Sequence, residues 1–144
     1  MDKLVVWDYA IPCEWLTNAE ADYLTTLPKS IPSVEWVWQE TDRIWHHYKL
    51  DNKQELAGQE ISNFYSHPVW LMNGIFTSVD TKSARHRFLI ARYLDQANVK
   101  SIADYGGGFG ELALGTRDSL ASVDLVPSQF NTSRFSRLRV KHCG

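Results

Sequence analysis

Four of the chain's eight glycines fall within seven residues, Asp104-Tyr105-Gly106-Gly107-Gly108-Phe109-Gly110. No other stretch restricts the fold as strongly. An apolar-rich approach, Val99 to Ala103, leads in, and Glu111-Leu112-Ala113-Leu114 leads out. That order predicts a short strand, a sharp turn and the start of a helix. Glycines without a Cβ let the backbone turn tightly and come close to a ligand. The helix that follows directs its unbonded N–H groups toward whatever lies above the turn. The stretch therefore reads as a small-molecule cradle at the carboxyl end of a strand.

The spacing of the glycines narrows the ligand. A phosphate-binding P-loop needs a Lys after its last glycine, and Gly110 is followed by Glu111. A dinucleotide fingerprint needs two residues between its last two glycines, and here only Phe109 separates Gly108 from Gly110. An acid followed by three glycines at alternate positions (Asp104, Gly106, Gly108, Gly110) fits throughout. This pattern resembles the first motif of class I S-adenosylmethionine-dependent methyltransferases. Ser122-Val123-Asp124-Leu125-Val126-Pro127-Ser128 is similar to that family's second motif, in which a strand ends in an acid and a helix soon follows.

The resemblance implies an α/β, Rossmann-like methyltransferase fold. It would be incomplete, with two to three parallel strands, and preceded by a mainly helical N-terminal region. It implies S-adenosylmethionine as cofactor. Tyr105, Phe109 and the backbone of Gly106, Gly107, Gly108 and Gly110 would surround the methionine part and adjoining ribose. Asp104 would lie near the methionine ammonium, and Asp124 would take the ribose hydroxyls with its two carboxylate oxygens. The substrate would be a small-molecule methyl acceptor, and the helical, aromatic-rich extension also resembles sugar O-methyltransferases of surface-polysaccharide pathways. No residue is singled out as a catalytic base. Thirteen residues separate Gly110 from Asp124, so the intervening helix should be little more than one turn, stopped near Gly115. With few strands after the glycine turn, the chain is expected to be the amino-terminal part of such an enzyme and to bind the cofactor weakly or not at all. A non-catalytic binding module that keeps only the nucleotide side of the fold is the alternative.

Composition bounds the rest. The chain has 144 residues and a net charge of −2, which gives no global reason to expect nucleic acid or a membrane surface. Residues 1–60 carry eleven acids and five bases, whereas residues 81–144 carry five acids and ten bases. Cys13 and Cys143 form no metal or redox spacing, and no metal site is expected. With no apolar run approaching ~18 residues, a cytoplasmic protein is expected. Oligomeric state is left open.

Up to Asn98 the patterns are mainly helical. Thr17-Asn18-Ala19-Glu20 is a capping box, and the helix it opens stops at Pro28. Val34, Val37, Trp38, Ile44, Trp45 and Tyr48 recur at helical spacing, and the tryptophans at 36, 38 and 45 are read as core. Asp51-Asn52-Lys53-Gln54 reads as a second capping box, for a helix ending at His67-Pro68. A short helix through Trp70 to Met72 should break at Asn73-Gly74. Another starts near Thr81 or Ser83, with Ile90, Tyr93, Leu94 and Ala97 along one face. The first ten residues, Leu4-Val5-Val6-Trp7 and their neighbours, read as an extended arm. Tyr65 to Trp70 is the best candidate for a site in this region. After Lys100 strands alternate with helices, with a further helix opened by Pro127 and a strand over 138–142. The expected division is a helical extension over 1–82 and a cofactor-binding part over 83–144.

Overall fold

Local signals set most of the helix starts. The computed structural model describes residues 2–52, 58–105, 109–116 and 122–126. Helix α1 (Asn18–Thr25) opens on the capping box: Thr17 accepts the Glu20 N–H at 3.3 Å, and Glu20 Oε2 accepts the Thr17 N–H at 2.7 Å. Helix α2 (Val34–His47) is capped by the Ser33 hydroxyl, which accepts the Trp36 N–H. It buries Val37 and Ile44 but leaves Trp38 62% exposed, so that ring is not core. A 3-10 turn over Leu50–Asn52 follows. Lys53 and Gln54 of the second capping box lie outside the described residues, and helix α3 (Gln59–Ser66) begins after Gly58 at φ 116°.

Helix α4 (Val69–Val79) runs through Asn73-Gly74 without a break. Glycine inside a helix costs about 1 kcal/mol relative to alanine. Val69, Leu71, Met72, Ile75 and Phe76 are all buried, at roughly 1.5–3 kcal/mol each for the large side chains, so packing overrides the local penalty. Helix α5 (Thr81–Gln96) is capped by Asp80, whose carboxylate accepts the Ser83 N–H at 2.8 Å. The expected apolar face is not buried: no residue of α5 is, and Ile90 and Tyr93 are exposed.

The first residues form a hairpin rather than an arm. Strand β1 (Lys3–Val6) pairs antiparallel with β2 (Tyr9–Pro12), Val6 opposite Tyr9. Trp7 and Asp8, at φ 49° and 68°, make the two-residue turn, whose twist requires positive φ at both positions. Tryptophan is a costly residue there, and its ring is held elsewhere. Its indole N–H donates to the Pro28 carbonyl at 2.9 Å, and the ring meets Phe76 edge-on at 6.3 Å.

Strand β3 (Ser101–Tyr105), the short helix α6 (Glu111–Thr116) and β4 (Ser122–Val126) complete the described elements. β3 and β4 run parallel, from Ser101 opposite Ser122 to Tyr105 opposite Val126. The α/β, Rossmann-like fold class is nonetheless a misreading. Among the described residues the chain is mainly helical, with five helices of eight residues or more and an N-terminal hairpin. β3 and β4 amount to one five-residue pair, with no layered parallel sheet around it among the described residues. The physical reason lies in α5. A parallel sheet needs helices buried on its faces, and the amphipathic helix best placed in sequence to cover one has no fully buried residue.

Contacts divide the chain into two units, residues 1–76 and 77–144. The core of the first is made by Ile11, Leu24, Val37, Ile44, Leu50, Phe64 and the buried face of α4. Among the described residues no helix is long and apolar enough to cross a membrane. The helix expected after Pro127 and the strand over 138–142 lie outside the described residues.

Candidate functional site

The glycine stretch begins where β3 ends. Asp104 and Tyr105 are the last two residues of that strand, opposite Leu125 and Val126. Gly106, Gly107 and Gly108 lie outside the described residues. Phe109 is buried, and Gly110 has φ 73°, a left-handed conformation that favours glycine. Glu111 opens α6 and accepts the Ser78 hydroxyl at 2.7 Å. The Arg87 guanidinium donates to the Thr77 carbonyl at 2.7 Å, at the end of α4. Helix α6 is six residues long, with Gly115 inside it and Thr116 fully buried, its hydroxyl donating to the Leu112 carbonyl. Asp124 is the middle residue of β4, opposite Ala103, so the strand does not end at the acid as the resemblance implied. Register thus sets Asp104 and Asp124 on neighbouring strands, one position out of step.

A second polar cluster lies in residues 1–76. Glu40 on α2 accepts both Arg43 Nε at 2.9 Å and Arg43 Nη2 at 2.6 Å, and the Tyr23 hydroxyl donates to it at 3.2 Å. The Arg43 hydrogen bonds hold the Glu40 carboxyl below its ordinary value, while burial, reinforced by Glu40, pushes the Tyr23 phenol up. Tyr23 also meets the His67 ring edge-on at 5.4 Å, and Tyr48 meets it at 6.4 Å. Burial, then the Arg43 charge, lowers the His67 imidazole. The stretch flagged in sequence, Tyr65 to Trp70, is an aromatic stack joined to this cluster through His67. Tyr65 and Trp70 lie 5.1 Å apart at 26°, and Trp70 packs on Phe64. The Glu40–Arg43 pair was missed in the sequence, although its helical i,i+3 spacing is a signal that could have found it. Tyr23, seventeen residues from Glu40, gave no local signal.

His46 and His47 part company, as neighbours on a helix must. His46 Nδ1 meets Asp51 Oδ2 at 2.5 Å, while His47 packs edge-on against Tyr48. Asp51 also accepts the Trp45 indole N–H, and the His46 contact holds its carboxyl below the ordinary value. Among the described residues no three His, Cys, Asp or Glu side chains are grouped to hold a metal ion. No protein-family model, curated protein or solved structure matches the chain.

Proposed function

We propose that residues 101–126 bind S-adenosylmethionine and that the chain serves methyl transfer to a small molecule, a sugar hydroxyl being the favoured acceptor. The observation that carries this reading is the placement of the motif. Asp104 and Tyr105 close a strand, the glycines follow at once, and the parallel partner strand carries Asp124 one position out of step with Asp104. Gly110 at φ 73° fits a cradle that a side chain would strain. When bound, the sulfonium would supply the methyl group by direct displacement, a reaction that depends largely on positioning.

Saturation-transfer NMR with S-adenosylmethionine tests the reading on the whole chain. Weak, saturable binding is expected, lost in Asp124→Asn and Asp104→Asn and not reproduced by NAD. No detectable binding, or binding indifferent to both substitutions, refutes it. A non-catalytic interaction module is the second reading, favoured by α5. That helix buries no residue and exposes Phe88 (64%) and Tyr93 (68%) beside Leu89 and Ile90. Partner binding that survives while no cofactor is bound selects it.

A further inference from the structure

We propose that His67 is an acid-sensitive latch: its neutral ring holds the start of α4, and protonation releases the α3–α4 junction. Three hydrogen bonds converge on this residue. Its backbone N–H donates to the Phe64 carbonyl at 3.1 Å and closes α3. Its carbonyl accepts the Trp70 N–H at 3.1 Å. Its ring Nδ1 accepts the Val69 N–H, the first of α4, at 3.0 Å. An amide N–H can only donate, so this contact requires a bare Nδ1 and places the ring proton on Nε2. A proton added at Nδ1 sets donor against donor. It also puts a positive charge at the helix end that already carries the positive pole of the backbone dipoles.

The groups around the ring set the direction of the response. Tyr23 from α1 and Tyr48 beyond α2 face it edge-on. Of the charged groups, Glu40 favours the imidazolium, but its carboxylate is engaged by Arg43 and Tyr23. Arg43 and His47 oppose it, and burial opposes it most. The folded state therefore binds this proton less readily than the unfolded state does. The stabilisation is complete above the ordinary histidine value of about 6.5 and is lost as pH falls from there through the lower folded value. The released segment is not peripheral, because five of the eleven residues of α4 are buried.

Hydrogen exchange on the full chain, corrected for intrinsic rates between pH 7.5 and 5, tests the latch. Peptides from residues 59–79 should open increasingly as pH falls, by up to about tenfold per pH unit, the limit for one proton. Peptides from α2 should not follow. His67→Asn keeps an acceptor and cannot titrate, so its profile should be flat, whereas His47→Gln should keep the wild-type slope. A flat wild-type profile, or a slope surviving in His67→Asn, overturns the proposal. Should the Asn variant not fold, the ring ¹⁵N shifts of the wild type decide. An unprotonated Nδ1 at pH 7.5 supports the latch, and a protonated one overturns it.

Discussion

Ile75 and Ile31 offer the sharpest test of the packing in residues 1–76. Ile75 on α4 is 0% exposed, whereas Ile31, between α1 and α2, is 46% exposed. Truncating either to alanine removes the same three carbon groups. At about 0.8 kcal/mol per buried group, the lost transfer energy at Ile75 is about 2.4 kcal/mol. The cavity left in a closed core adds roughly 1 kcal/mol or more, giving about 3.5 kcal/mol. At Ile31 about half of the transfer energy is at stake and solvent fills the space, so about 1 kcal/mol is expected. All six tryptophans lie within residues 1–76, so urea denaturation followed by tryptophan fluorescence reports on this unit alone. A loss of about 3.5 kcal/mol is a large share of the ~5–15 kcal/mol typical of a domain, and Ile75→Ala should shift the midpoint plainly. Equal losses for the two variants, or less than about 1 kcal/mol for Ile75→Ala, would refute the assignment of α4 as the central core helix.

Two further outcomes follow from local geometry. Trp7→Phe keeps an aromatic ring against Phe76 but loses the hydrogen bond to Pro28, which should cost about 1 kcal/mol in thermal denaturation. An unchanged Tm would show that the indole N–H contributes nothing. Thr17→Ala removes the side-chain half of the capping box and should cost about 1 kcal/mol, with Thr17→Ser restoring most of it; equal losses for both would show that the hydroxyl is not the cap.

What could be read from the sequence was what is decided within a turn or two of chain. The Thr17–Glu20 box spans four residues, and both of its hydrogen bonds are present. The long apolar spacing of α2 and the Pro68 boundary are of the same kind. The hairpin was invisible because its turn is Trp7-Asp8 rather than the usual Asn-Gly, and the contacts that hold Trp7 lie 21 and 69 residues away. Gly74 misled for a similar reason, since a buried helix face outweighs one weak residue. The stripe on α5 predicted a helix correctly but not its burial, and with that burial went the sheet-covering layer of the expected α/β fold. In the candidate site, residue types and spacing singled out Asp104 to Gly110, but the position of Asp124 within β4 depends on strand pairing. The Tyr23–Glu40–His67 cluster depends on three helices and a turn meeting, which no spacing encodes.

The Trp7–Phe76 contact has a consequence for the order of folding. It joins the first turn of the unit to its last residue, so forming it closes a loop of nearly the whole unit. Closing so long a loop costs entropy that only the finished core returns. A hairpin with a conventional turn would form early and wait for the rest. This one has a strained turn whose anchors are at Pro28 and Phe76, so it gains its hold only as the unit closes. The N-terminal strands therefore gain the second of their two anchors only once α4 has been made.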